Sequence, residues 1–335
     1  MLKSFLDEYL KDAGYSVHLI DGETRLSIVQ GDAEPDVVAL TPDHMFRIAS
    51  TSKTYVAAAV LRLMEQGKLA LSQSIAGLVS AETTAILQGG GYHVDQITLW
   101  QLLNHTAGIF DHTQSDKYGE TILEDTNHVW TAHEQLKSAM TWGKPYGEPG
   151  EKFQYSDVHY ILLGEIIERI TSKPLPIAVR ALLDFNGHDL AETAWELGDT
   201  WQPAPDQRAH QFLAGDDTHS WHPSNDLFGG GGLVATPRDV AQFYRLLMTG
   251  KIFDRAETLA LMLSPDGHPK DSPYRLGLFE QDHNGHPIYE HAGFWGTGAF
   301  FDNVTGIVVA GGTLQHEDYH LLERALVAFL LAARS

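Results

Sequence analysis

The sequence predicts an α/β fold in which strands from both ends of the chain build one sheet domain around a mostly helical insertion. Three observations carry that expectation. Near the start, "YSVHLI" and "RLSIVQ" flank Asp21-Gly22 with alternating character, which reads as a hairpin. From about residue 76 to 220 strand signals largely vanish and helical periods replace them. Strand signals return in "YRLGLFEQDHNGHPIYEHAG", with an Asn284-Gly285 turn, and then in "GTGAFFD" and "GIVVAGGTL". The expected division is residues 1-75 with 221-335 for the sheet domain and 76-220 for the insertion.

Taken in order, the chain opens with Leu2, Phe5, Leu6, Tyr9 and Leu10 at helical spacing, an amphipathic helix. Asp7, Glu8, Lys11 and Asp12 interrupt what an export signal would keep apolar, so a cytoplasmic protein is expected. After the first hairpin, Val56, Ala59, Val60 and Leu63 mark a buried helical face between Thr51 and a stop at Gly67. In the insertion, "TLWQLLNHTAGI" opens with a Thr98 to Gln101 capping box, and "YILLGEIIERIT" is strongly periodic. The run "GGGG" at 229 to 232 reads as a turn. An apolar helix from Tyr319 to Ala333 closes the chain; its longest apolar run, "ALVAFLLAA", falls far short of the ~18 residues a membrane span needs.

Composition narrows the function. A chain of 335 residues, 43% hydrophobic and 20% charged, can bury a large core. With 23 Lys plus Arg against 44 Asp plus Glu, the formal charge of -21 repels nucleic acid and anionic membranes. The absence of cysteine excludes disulfides, thiolate nucleophiles and Cys-based zinc sites.

The stretch "MFRIASTSKTYVAAAV" places Ser50 and Lys53 three residues apart where an extended segment becomes a small-residue helix. Residues at that spacing share a helix face, so Lys53 can lie beside Ser50. A serine hydroxyl needs an adjacent base to act as a nucleophile, and burial among Val56, Ala57 and Ala58 pushes a lysine toward its neutral, basic form. The helix N-terminus leaves the Ser50 amide free to stabilise an oxyanion. Further along, "QYSDVHYILLGEII" places Tyr155 and Asp157 at the mouth of a helix. "YEHAGFWGTGAF" sets His291, Ala292 and Gly293 at the end of a late strand.

These three constellations, in this order, resemble S-x-x-K, Y-x-N and K-T-G or H-x-G of the serine β-lactamase and penicillin-binding protein family, on its class C side. The segments "ITLWQLLNHTAGI", "YSDVHYILLGEIIERIT", "LFGGGGLVATPRDVAQFYRLL" and "HAGFWGTGAFFD" extend the likeness over most of residues 40 to 315. The resemblance implies a β-lactamase/transpeptidase-like fold, an antiparallel sheet flanked by helices. It also implies a serine hydrolase that forms an acyl-enzyme on a small ester, amide or peptide, without metal or organic cofactor. Carried over, Ser50 matches the nucleophile, Lys53 its base partner and Tyr155 the phenol that returns the proton to the leaving group. The oxyanion hole falls to the amides of Ser50 and Phe294, and substrate binding to Asp157, His291, Ala292 and Gly293. Gly293 would let the strand backbone approach the substrate.

Departures from the family pattern bear on substrate and proton transfer. Asp157 replaces the usual Asn; near Lys53 it would raise the lysine's pKa and shift the base role toward Tyr155, or else it simply caps its helix. His291 and Ala292 replace groups that hold a substrate carboxylate, which favours neutral esters and amides unless an arginine such as Arg275 restores an anion site. D-Alanyl-D-alanine carboxypeptidase or class C-type β-lactamase activity is the alternative, and a non-catalytic acyl-ligand-binding relative is the alternative of another kind. His316-Glu317-Asp318-Tyr319-His320 matches a zinc motif in form but reads as a polar helix start. His105 reads as a packing residue. Trp201, Trp221 and His222 either rim a cleft or pack locally.

Overall fold

The computed structural model describes residues 1–334. Its main sheet has six antiparallel strands, in spatial order Phe279–Asp282, Pro287–Gly293, Thr297–Asp302, Val308–Thr313, Tyr15–Asp21 and Thr24–Gln30. The two ends of the chain meet where Tyr15 lies opposite Thr313 and Ile20 opposite Val308. Both expected hairpins are present. At Asn284-Gly285 both residues take left-handed φ, +61° and +80°, the primed-turn geometry that follows the sheet's twist. At the first hairpin the loop residues are Gly22 and Glu23, not Asp21 and Gly22, because Asp21 pairs with Thr24. Gly22, at φ +55°, takes the position that needs a glycine.

One sheet face is covered by the terminal helices Leu2–Tyr9 and Tyr319–Ala332, with Leu6, Leu322, Leu326 and Phe329 packed on Val17, Ile288, Phe300 and Val309. The other face meets the helix Pro237–Met248, behind which lies Ser52–Glu65, Tyr55 stacking on Phe243 with ring centroids 3.6 Å apart. Ser52–Glu65 is buried on nearly all sides, as its Ala57-Ala58-Ala59 core and ring of aliphatic residues dictate. It ends just before Gly67, whose φ of +69° turns the chain away.

Helices dominate the middle of the chain: Ala81–Gly89, Leu99–Leu103, Asp116–Glu124, Ala132–Trp142, Asp157–Thr171 and Leu175–Leu182. The Thr98 capping box forms: Thr98 Oγ1 accepts from the Gln101 amide (3.3 Å) and Gln101 Oε1 from the Thr98 amide (2.8 Å). Asp157–Thr171 packs against Ser52–Glu65, and Leu163, Ile167, Val56, Val60 and Phe243 share one continuous core. A three-stranded sheet, Phe46–Arg47, Leu233–Ala235 and Thr193–Trp195, ties the segment around 193 to the approach to Ser50. The head of Ser52–Glu65 is thereby held between the main sheet and the helices.

Candidate active site

The chain enters the Ser50 region from the short strand Phe46–Arg47, turns through a 3₁₀ segment Ala49–Thr51, and runs straight into the helix Ser52–Glu65. Ala49 sits at φ +43°, a left-handed conformation that costs a residue with a Cβ roughly 1 to 3 kcal/mol. Packing of Ala49 against Trp221 and Trp295 holds it there. Three neighbouring hydroxyls then separate by role. Thr51 Oγ1 donates to the His291 carbonyl (3.2 Å), and Ser52 Oγ accepts from the Leu233 amide (3.2 Å). Ser50 alone of the three lines the adjoining cavity.

Lys53 is fully buried. Its Nζ donates to Ser50 Oγ (2.8 Å) and to the Gly230 carbonyl (2.5 Å), and lies 2.6 Å from Asp157 Oδ1. Ser50 and Gly230 each accept one N–H of the ammonium, and Asp157 faces it as the counter-charge. The expectation that burial makes this lysine neutral is corrected by that geometry. Burial does favour the neutral form, but Asp157, with Tyr155, outweighs it and holds Lys53 above its ordinary pKa. The glycine run is more than a turn. Gly229 and Gly232 take φ of +105° and +108°, and a Cβ on Gly231 would meet Asp226 Oδ1 at 2.1 Å. Without side chains the run passes close enough for Gly230 to reach Lys53.

Tyr155 is the second proton-bearing group here, and its hydroxyl reaches both Ser50 and Lys53. Burial holds the phenol protonated, more than the Lys53 charge offsets, so Tyr155 does not take over as a ready base. A layer of rings fixes it. His105 lies beside it with centroids 4.3 Å apart, and Phe279 stacks on it at 6.0 Å. His105 Nδ1 accepts from the Ser156 amide (3.3 Å), so His159 Nδ1, 3.0 Å away, carries the proton between the two rings. Burial keeps both imidazoles neutral, His159 being pushed down to about 3. His105 is thus a support for Tyr155, as its packing assignment expected. Asp157 is not the helix cap: Ser156 holds that position, and Asp157 is the first helical residue, its carboxylate beside Lys53.

The third constellation lands differently from the expectation. His291 is buried and is not among the cavity-lining residues; nor are Ala292 and Gly293. His291 Nδ1 donates to the Ala292 carbonyl (2.9 Å), so Nε2 accepts from the Tyr274 hydroxyl (3.0 Å). Burial and the nearby Lys53 push its pKa down to about 3, leaving it neutral. A Cβ on Gly293 would lie 2.2 Å from the Ile48 carbonyl oxygen and 2.4 Å from Thr297 Oγ1. Glycine is required there because the strand meets the turn before Ser50 backbone to backbone. Phe294, the next residue, does line the cavity, with half its side chain exposed. Ser50 and Phe294, the two proposed oxyanion donors, therefore face the same space.

That cavity holds about 400 Å³ and is walled by Ile122, Leu123, Leu213, Tyr118, Trp221 and Trp295, with Asp111, Asp157 and Asp226 among its polar groups. Sequence reasoning singled out Trp221 as a possible rim and missed Asp111, Tyr118 and Asp226, which lie outside the motifs, and Trp295, which lies in the third-motif segment but was given no role. Trp201 packs instead with Met45, Ala194 and Val234, and His222 caps the turn Pro223–Asp226. Among the described residues no Lys, Arg or His lines the cavity. Arg275 is buried in an ion pair with Glu280 (2.8 Å) and offers no anion site there. In the zinc-like motif, His316 Nδ1 donates to the Phe294 carbonyl and His320 Nδ1 to that of Glu317 (2.7 Å).

Comparison with known proteins bears on this arrangement. A family model described as Beta-lactamase matches residues 2–326. Protein flp of Staphylococcus aureus strain MW2 is 29% identical over 136 residues, 41% of this chain and 25% of flp. The D-alanyl-D-alanine-carboxypeptidase/endopeptidase AmpH of Escherichia coli strain K12 is 21% identical over 244 residues, 72% of this chain and 59% of AmpH. The matched region thus spans less than two thirds of either relative. Among solved structures, the D-amino acid amidase from Ochrobactrum anthropi SV3 complexed with L-phenylalanine superposes with a TM-score of 0.81 at 23% identity, covering 100% of this chain and 99% of the amidase. At that identity the likeness speaks to the fold, which is β-lactamase/transpeptidase-like.

Proposed function

The chain belongs to the Beta-lactamase family, and from that premise we propose that it is a serine hydrolase that acts through a covalent acyl-enzyme on Ser50. The observation that carries this reading is the 2.8 Å contact between Lys53 Nζ and Ser50 Oγ at the wall of a cavity large enough for a small acyl group. Ser50 Oγ attacks the carbonyl carbon while its proton passes to the neutral form of Lys53. The oxyanion so formed meets the amides of Ser50 and Phe294. Tyr155, within reach of both Ser50 and Lys53, delivers a proton to the departing alkoxide or amine, and Lys53 restores it. Water then repeats the sequence on the ester carbonyl of the acyl-enzyme and frees Ser50. Because Asp157 holds Lys53 charged at rest, the neutral form is a minor population at neutral pH, and turnover rises as the pH is raised.

Esters and amides without a carboxylate are the substrates this cavity favours. The lining carries three aspartates and no basic side chain among the described residues. A substrate carboxylate would find no charge-assisted donor in the lining, an interaction worth roughly 1.5 to 3 kcal/mol. The amidase with a matching fold is named for amides of amino acids and was solved with L-phenylalanine amide, a molecule without a carboxylate. Two measurements test the reading. A phosphonofluoridate should add one adduct to the wild type and to Ser52→Ala but none to Ser50→Ala; an adduct that survives in Ser50→Ala assigns the nucleophile elsewhere. For an acyl ester and its carboxylate-bearing analogue, kcat/KM should favour the ester, and a tenfold preference for the anion would overturn the substrate assignment.

A further inference from the structure

Among the described residues, Lys53 is the one ammonium paired with a carboxyl group of the cavity, which has three. Asp157 is paired with it. Asp111 and Asp226 are not, although both line the same space. Asp111 is fully buried; its Oδ1 accepts from the Thr113 amide (3.1 Å) and lies 3.7 Å from His112 Nδ1. Its Oδ2 is buried with no hydrogen-bond partner. A buried acceptor left without a donor costs roughly 1 to 3 kcal/mol, so the arrangement is incomplete until something donates to it. Nearby groups do not: His112 Nδ1 stands 3.7 Å from the other carboxyl oxygen, beyond hydrogen-bond distance, and the Tyr118 hydroxyl donates to the Asn225 carbonyl. Burial first, and the Asp157 charge second, push Asp111 and Asp226 up to about 7. A cation placed beside them would return both to carboxylates.

The remaining walls suit a cation that is also organic. Tyr118, Trp221 and Trp295 present aromatic surface, which attracts ammonium groups. Among the described residues no three carboxylate or imidazole groups converge as metal ligands do. We propose that Asp111 and Asp226 form an ammonium subsite beside Ser50, so that the preferred acyl group carries a primary amine, as in an amino-acid amide or ester. The subsite deepens the acyl-enzyme reading and rests on it. A primary ammonium brings three N–H donors, one of which completes Asp111 Oδ2.

The test pairs 2-aminobutanoyl 4-nitroanilide with butanoyl 4-nitroanilide. Wild-type kcat/KM should favour the amino substrate by about tenfold or more, and Asp111→Asn and Asp226→Asn should each reduce that ratio by about tenfold or more. Taking the change in the ratio cancels the amine's inductive effect on the carbonyl. A ratio unchanged in both variants overturns the subsite. A second measurement needs no variant: n-butylammonium should inhibit the wild type competitively at concentrations where 1-butanol does not, and equal inhibition by the two, or none, also overturns it. Phosphonofluoridate labelling of the same samples separates the two ideas. Labelled enzyme without an ammonium preference overturns the subsite alone, whereas unlabelled enzyme that turns over neither anilide overturns the acyl-enzyme reading and the subsite with it.

Discussion

Lys53 Nζ lies 2.6 Å from Asp157 Oδ1, an ion pair whose lysine is fully buried. The pair sets the protonation state of the base before any substrate arrives. Lys53 must lose a proton to accept one from Ser50, and Asp157 makes that loss harder.

Asp157→Asn should therefore lower the Lys53 pKa and move the acidic limb of kcat/KM for a neutral ester to lower pH, raising the rate near neutrality. The pH–rate profile of the two proteins decides it. A limb that stays in place separates Asp157 from the base, and a loss of about 100-fold or more at every pH would make Asp157 itself a proton acceptor.

Lys53 and Tyr155 should behave as one proton-transfer unit, since both reach Ser50 and each other. Lys53→Ala and Tyr155→Phe should each lose about 100 to 10,000-fold in kcat on an ester, and the double variant little more than either. Losses that multiply would show two independent contributions.

Gly293→Ala should damage both stability and rate, although Gly293 does not line the cavity. Its new Cβ would collide with the Ile48 carbonyl, 2.2 Å away, and force apart the strand that leads to Phe294 and the turn that leads to Ser50. Overpacking of this kind costs about 1 to 3 kcal/mol, and a displaced oxyanion donor about 100-fold or more in kcat. A variant with wild-type Tm and wild-type turnover would refute the close-packing account.

Asp111 makes a signed prediction about pH and stability. Its folded-state pKa is raised from 3.8 to about 7, chiefly by burial and then by Asp157, with Thr113 and Lys53 opposing. Between those two pH values the folded protein keeps a proton that the unfolded chain has released, so stability falls as pH rises through the window and stays lower above it. Asp111→Asn cannot ionise and escapes that loss. Its Tm should exceed the wild-type value above pH 7 and converge on it toward pH 4. A wild-type advantage above pH 7 would mean that the carboxylate is better satisfied than its unpartnered Oδ2 indicates.

Local chemistry made much of this protein legible in its sequence. The Asn284-Gly285 turn, the Thr98 capping box and the all-round apolar helix after Ser50 each depend on residues a few positions apart, and each forms where expected. The Ser50 and Lys53 contact was readable for the same reason, because helical spacing alone brings i and i+3 together. What the sequence left open was a set of side-chain relations across long separations. That Asp157 meets Lys53 depends on two helices packing side by side, and their mutual charge reverses the effect of burial on the lysine. His291 follows the motif, but its ring turns to Tyr274 and away from the cavity, which no spacing rule could show. Asp111 and Asp226 belong to no motif and carry no local signal; only the closure of the chain around Ser50 brings both to one cavity. A carboxylate's pKa and partners are set by what surrounds it in space, so the residues that bear on substrate charge were decided by the tertiary structure.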